Sequence, residues 1–165
     1  MRILLCHSYY QRRGGEDCVF EEEREFLKAA GHEVVEYCRR NEELTRESSL
    51  SIAGKTLWNG ETAREVRNLV EQHRPDVFHA TNTFPLISPA VLREAHKQGV
   101  AVVQALQNYR LICPGSYLMR DGRPCHDCLG KAVPWPAIQH RCYRDSVTAS
   151  VAVVSMVVLH RLMGT

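Results

Sequence analysis

Apolar and polar positions follow two different periods along the first two thirds of the chain, and each change of period marks an element. RILLCH, Arg2 to His7, is a compact β-forming run. A polar loop then leads to Val19, Phe20, Glu23, Phe26, Leu27 and Ala30, which recur at helical spacing. Gly31 stands where a left-handed residue commonly closes a helix, and HEVVEYC, His32 to Cys38, predicts a second strand. The three segments form a βαβ unit.

Residues 39 to 59 are polar and without a clear period, which predicts a long surface loop or a short irregular helix carrying Leu50, Ile52 and Leu57. From Glu61 to His73 the positions Ala63, Val66, Leu69 and Val70 fit one helix face, Pro75 follows the helix, and DVFHA, Asp76 to Ala80, predicts a third strand. Ser88 is expected to cap a helix with Pro89 at its first position and Gly99 at its end. VAVVQAL, Val100 to Leu106, then reads as a continuous buried strand, the kind found in parallel sheets covered on both faces. Four strands alternating with three helices predict an α/β fold, a Rossmann-like doubly wound parallel sheet. Functional groups are expected at the strand ends His7, Cys38, His79 and Gln107. From Cys113 to Arg144 the pattern gives way to a stretch rich in Cys, Pro and Gly, and Ser146 to Met163 returns to a helical pattern. An irregular insert at about 110–145 followed by a helix is expected.

Composition narrows the classes. With 165 residues, 44% hydrophobic and 24% charged, the chain suits one globular domain with a real core. A formal charge of +2, with basic residues interleaved among acidic ones, argues against a nucleic-acid partner. The apolar run Ile3 to Cys6 is too short for a signal-peptide core. Val147 to Leu159 is broken by Thr148, Ser150 and Ser155 and falls short of the roughly 20 residues a spanning helix needs. A cytoplasmic location is therefore the expectation, with the seven cysteines reduced or metal-bound rather than paired. The apolar residues of Val147 to Met163 encircle much of their helix, so core packing is expected first, with a peripheral membrane or interdomain contact as the alternatives.

Several residues carry candidate chemistry. Gly14 and Gly15 precede helix one, where free N–H groups and the helix dipole favour an anion such as a phosphate. A plain turn before an acidic helix start, Glu16 and Asp17, explains them equally well. His79 and His7 sit where α/β sites form and suit hydrogen-bonding or acid–base roles, although a structural histidine is the commoner case and the sequence identifies no carboxylate partner. Arg12, Arg13 and Arg110 suit phosphate or carboxylate pairing or simple solvation. Cys113, Cys125, Cys128 and Cys142 form C-x11-C-x2-C-x13-C around a C-H-D-C knuckle, which points first to a structural Zn2+ ordering the insert. A redox-active Cys125/Cys128 pair, unligated thiols, and His126 or His140 replacing one thiol are the other readings. Cys6, Cys18 and Cys38 are expected to be small core residues.

The segments MRILLCHSYYQRRGGED, GHEVVEY, RPDVFHATNTFPLISP, VVQALQNYRLICPG, DGRPCHDCLG and HRCYR, taken in order along essentially the whole chain, resemble the N-terminal domain of family 4 glycosyltransferases, in particular a bacterial subgroup. The resemblance implies one half of a GT-B fold: the acceptor-side domain of a retaining transferase whose C-terminal domain, absent here, binds a nucleotide sugar as donor. A glycan or lipid-linked acceptor is implied, with activity requiring that second domain, and a place in the cytoplasm or peripherally at the inner face of the membrane. By the same resemblance Gly14 and Gly15 match the loop approaching the donor phosphates, and His79 matches the first histidine after strand three. Gln107, Asn108 and Arg110 fall in the segment facing donor or substrate. Relatives carry histidine at the positions of Thr81 and Gln107, and a glutamine hydrogen-bonds but carries no proton near neutral pH. A noncatalytic zinc-stabilised binding module or a degenerate remnant is the second reading. A nicotinamide dinucleotide-binding domain ranks below both because the loop lacks a third glycine.

Overall fold

In the computed structural model, residues 1–42 and 49–164 are described. They form β1 (Arg2–Tyr9), α1 (Gly15–Ala29), β2 (Glu33–Arg40), α2 (Ser49–Leu57), α3 (Gly60–His73), β3 (Val77–Asn82), α4 (Ala90–Lys97) and β4 (Ala101–Gln104). The two-residue strands β5 (Met119–Arg120) and β6 (Arg123–Pro124) follow, then the short α5 (Pro136–Gln139) and α6 (Val147–Met163). The chain divides into two compact units, Met1–Ala105 and Leu106–Thr165.

The first unit is the expected α/β architecture: a four-stranded, all-parallel sheet in the order β2-β1-β3-β4, compatible with a Rossmann-like fold. Strand alternation gives the sheet two chemically different faces. Leu4 and Cys6 of β1, Tyr37 of β2 and Phe78 and Ala80 of β3 pack with Val66 and Val70 of α3 and Val91 and Ala95 of α4 into one buried cluster. The other face carries His7, whose ring stacks on Phe20 of α1, and Glu36, which meets Arg24 and Lys28 of α1. Helices thus cover both faces, and the polar side chains gather under α1.

Helix boundaries follow their caps. Asn59 accepts from the backbone N–H groups of Glu61 and Thr62 to open α3. Gly31 closes α1 with φ +81, the left-handed geometry expected of it. The Ser88 hydroxyl accepts from the Ala90 N–H at 3.3 Å, but the helix begins one residue later than expected, because Pro89 is the N-cap and not the first helical residue. Within the aperiodic stretch 39–59, residues 43–48 lie outside the described residues. The stretch also holds the end of β2 and the helix α2.

Two sequence expectations are corrected. Strands one to three run past His7, Cys38 and His79 to Tyr9, Arg40 and Asn82, because their polar ends still pair: β1 stays in register with β2 to Tyr9 and Arg40, and His7 meets Asn82 of β3 past a one-residue shift. β4 stops at Gln104, so Gln107 is not at a strand end, and it is not buried on both sides: Val103 is 47% exposed while Val102 packs on the main core. β4 is the last strand of the sheet, and α1 packs on β1, β2 and β3 instead.

The second unit has little regular structure. A β5–β6 hairpin, α5 and α6 are joined by turns, and its core cluster among the described residues is Cys128, Ala137 and Val154, with Ile138, Cys142 and Val158 packed against it. α6 is capped by the Ser146 hydroxyl, which accepts from the Ala149 N–H, and ends at Gly164 with φ +66. Ser150, Val153, Val154, Met156, Val157 and His160 are buried along it, while Val147, Val151, Leu159 and Leu162 are exposed. Among the described residues no helix is long and apolar enough to cross a membrane.

Candidate functional site

At the C-terminal end of the sheet, β1 and β3 lose register between Cys6 and His7: Cys6 pairs with Ala80 and His7 with Asn82. Thr81 is therefore an extra residue, and a bulge of this kind re-aims a side chain. The Thr81 hydroxyl lies 2.8 Å from His7 Nδ1, and His7 Nε2 lies 2.9 Å from Asp17 Oδ1 in the first turn of α1. His7 and Asp17 are 0% and 1% exposed. Asp17 also accepts from the backbone N–H of Gly14 at 2.9 Å through Oδ2 and of Tyr10 at 3.4 Å through Oδ1. The carboxylate folds the loop between β1 and α1 around itself, and His7 ties that loop to β3.

Proton accounting assigns the tautomer. Burial lowers the His7 pKa below its ordinary value, opposed by the hydrogen bond and charge of Asp17 and by the charges of Glu16 and Glu21. The neutral ring donates from Nε2 to Asp17 and accepts at Nδ1 from the Thr81 hydroxyl. That hydroxyl also lies 3.2 Å from the Cys6 carbonyl. Protonation of Nδ1 would redirect the Thr81 proton to Cys6.

Beside this link lies a polar rim. The Ser8 hydroxyl donates to Asn41 Oδ1 at 3.3 Å, Asn82 Nδ2 donates to the Ser8 carbonyl at 2.8 Å, and Gln11 Nε2 donates to the Asn41 carbonyl at 3.2 Å. Asn82 Oδ1 accepts from the Phe84 N–H at 3.0 Å, just before the cis Phe84–Pro85 bond. Carboxyl ends of parallel strands are where open α/β sheets bind ligands.

The expected site residues distribute as follows. His79 lies mid-strand under α1, 14% exposed, with Nδ1 3.3 Å from Glu23 Oε1. The carboxylate partner that the sequence did not identify is thus supplied by the helix. Gly14 is the N-cap of α1 in extended conformation and Gly15 its first residue, with nothing within 4 Å of a Cβ placed on Gly15. The Gly14 N–H, one donor that a phosphate would use, is held by Asp17, and Glu16 accepts from the Tyr10 hydroxyl at 2.8 Å. The helix start therefore already carries two carboxylates. Arg13 pairs with Glu21, and Arg12 is exposed.

Gln107, Asn108 and Arg110 belong to the second unit. Asn108 Oδ1 accepts from the Arg110 N–H at 2.9 Å, closing a local turn, and the Arg110 guanidinium lies 5.6 Å from the centre of the Tyr143 ring. Gln107 Nε2 is shielded from solvent without a hydrogen-bond partner among the described residues.

The four cysteines of the C-x11-C-x2-C-x13-C pattern all lie in the second unit, as free thiols. Cys128 and Cys142 share its small core. A Cβ on Gly115 would stand 3.5 Å from Cys142 Cβ and 3.8 Å from Cys113 Sγ. Burial raises the pKa of Cys128 and Cys142, and the charges of neighbouring cysteines add to the rise. As the side chains stand, no three His, Cys, Asp or Glu residues among those described are gathered to hold a metal ion. His126 and His140 are exposed. Of the three cysteines expected in the core, Cys6 is buried, Cys18 partly buried and Cys38 exposed. Cys38 is exposed because it lies near the C-terminal end of the end strand β2, which pairs with β1 on one side only.

Sequence reasoning missed Asp17, Thr81 and Glu23 as partners of the two histidines, and Ser8, Asn41 and Asn82 as a rim. One signal was readable: an acidic residue three positions after an N-cap glycine is placed to bond back to the cap. No protein-family model matches the chain, and no curated protein matches it significantly.

Proposed function

We propose that this chain is the acceptor-side, N-terminal domain of a GT-B glycosyltransferase, working with a donor-binding domain to move a sugar from a nucleotide sugar to a glycan or lipid-linked acceptor. The reading rests on the resemblance of the chain's ordered segments to family 4 glycosyltransferases. The observation that carries it furthest is the rim at the sheet's C-terminal end, where Ser8, Asn41 and Asn82 supply neutral donors and acceptors beside a loop stiffened by Asp17. Neutral amides and hydroxyls suit a hydroxyl-rich acceptor. The two carboxylates at the start of α1, Glu16 and Asp17, disfavour a phosphate held by this unit alone.

Amide NMR of the chain during titration with oligosaccharides tests this. Shifts at Tyr10 to Gly14 and Asn82 to Phe84 are expected, with no sugar released from a nucleotide sugar until a donor-binding domain is supplied. Sugar transfer by the chain alone would overturn the division of labour, and retention of a nicotinamide dinucleotide in place of glycan would overturn the reading itself.

A second reading, a noncatalytic glycan-binding module, is favoured by one specific observation: the Thr81 hydroxyl is committed to His7 and the Cys6 carbonyl. Joined to a competent second domain, the Gln107→His variant discriminates. Activity gained supports the transferase, and glycan binding without transfer supports the module.

A further inference from the structure

We infer that the second unit is a zinc-ordered module in which Cys113, Cys125, Cys128 and Cys142 close together around one Zn2+. The inference is independent of sugar transfer.

The second unit has little regular structure to order it. Its one buried cluster is three residues, Cys128, Ala137 and Val154, among those described, with Val153, Met156 and Val157 buried elsewhere along α6. Its two strands are two residues each, and α5 has four. Six non-glycine residues, Ser116, Leu118, Asp121, Arg141, Arg144 and Asp145, hold positive φ. Left-handed backbone at non-glycine positions costs roughly 1 kcal/mol each. Most of the buried apolar residues lie along α6 and around Ala137, away from the turns at 116–121 that hold half of these conformations, and small irregular units of this kind draw order from disulfides or metals.

The four thiols stand at turns of this unit. Cys113 opens a tight turn in which the Ser116 N–H donates to the Cys113 carbonyl at 2.8 Å. Cys125 follows the β5–β6 hairpin, its N–H donating to the Leu118 carbonyl at 2.8 Å. Cys128 begins the next turn, and Cys142 is fixed after α5 by donation to the Ala137 carbonyl at 3.0 Å. Four separate turns thus deliver one cysteine each to the same small unit, where Cys142 packs against the cluster that holds Cys128 and flanks Gly115 together with Cys113. Gly115 leaves open the space between Cys113 and Cys142 that a side chain there would crowd, 3.2 Å from the Cys142 carbonyl.

The charge balance is also met in part. Four thiols giving up four protons to one Zn2+ leave a site of net charge about −2. Arg120 lies within reach of both Cys125 and Cys142, held by Asp127 at 2.7 Å. A cation so placed offsets part of that charge, as outer groups do in metal sites. The side chains as they stand form no such cage among the described residues, so closing onto the ion is part of binding. A site filled by four thiolates has no open position and is structural rather than catalytic.

The test uses the whole chain purified without chelator. Elemental analysis should give about one zinc per chain. Replacement by Co2+ should give the intense visible bands of a tetrahedral ion with thiolate-to-cobalt charge transfer in the near ultraviolet. Cys125→Ser should lose the ion, while Cys38→Ser, in the other unit, should keep it. The cobalt titration of the unsubstituted chain decides the matter even if Cys125→Ser fails to fold. Metal-free protein with four freely titrating insert thiols and an ordered second unit overturns the inference. So do a weak octahedral cobalt spectrum, disulfides between these cysteines after isolation under reducing conditions, or equal metal loss in Cys38→Ser.

Discussion

Eleven buried side chains form one continuous cluster in the first unit, whereas the corresponding cluster of the second has three, among the described residues. The backbone shows the converse: among the described residues, two non-glycine residues have positive φ in the first unit, Arg74 and Ser88, against six in the second. A sheet with helices on both faces satisfies its backbone by regular pairing and needs few special conformations. A segment made of turns reaches its shape by many local bends, and most of its buried apolar residues gather along α6 and around Ala137. The difference teaches that regular pairing and local bends order the two units by different means, and substitutions can probe them separately.

The largest effect is expected in the first unit's core. Phe78 is fully buried in that cluster, and Phe78→Ala should cost about 3–5 kcal/mol in denaturant unfolding. A loss under about 1 kcal/mol would break the contrast by showing that the apolar cluster is not what holds the sheet.

Next comes the polar link on the opposite sheet face. Asp17→Ala leaves donors at His7, Gly14 and Tyr10 without their acceptor and should cost about 3 kcal/mol, with faster hydrogen exchange at the Gly14 and Tyr10 amides. Thr81→Ser should stay near the parent while Thr81→Val loses about 1–3 kcal/mol, because only the serine returns a hydroxyl to His7 Nδ1. Equal behaviour of the two Thr81 variants would reduce that contact to packing.

A smaller effect concerns pH. With the folded pKa of His7 lowered by burial, the unfolded chain takes up the proton first as pH falls. The link's contribution is complete above the unfolded value of about 6.5 and declines below it toward the folded pKa. Melting temperatures measured between pH 7 and pH 5 should fall more steeply for the parent than for His7→Gln, which keeps a donor for Asp17 but does not titrate. Parallel curves would remove His7 as the source of the slope.

The smallest effect is expected at Gly15, where no neighbour lies within 4 Å of an added Cβ and α1 has just begun. Gly15→Ala should raise stability by about 0.5 kcal/mol through the unfolded chain. If sugar transfer by a two-domain enzyme falls in the same variant, the glycine serves a ligand and not the fold.

The periodic elements were legible in the sequence because their information is local. Val66 and Val70 in α3, or Val34 and Val35 in β2, declare their element by spacing and residue type. What spacing does not encode is where an element stops or which residue it meets across the sheet. His7 and Thr81 are 74 positions apart and meet through a one-residue bulge in a parallel pair, which no local pattern announces. His79 meets Glu23 for a similar reason: the partner lies on a helix that crosses the strand. β4 looked buried because its valines are apolar, and it is half open because its place at the end of the sheet depends on strand order and not on composition.

That placement has a consequence for the molecule's behaviour at high concentration. Strands at the ends of sheets are templates for foreign strands, and charged side chains are a common deterrent. β2, at one end, carries Glu33, Glu36, Arg39 and Arg40. β4, at the other, is Ala-Val-Val-Gln with no charge at all and an outward-facing Val103. Of the two borders of the sheet, only the first defends itself, so unwanted self-association through this sheet is directed to the second, and a lysine in place of Val103 is the simplest way to guard it.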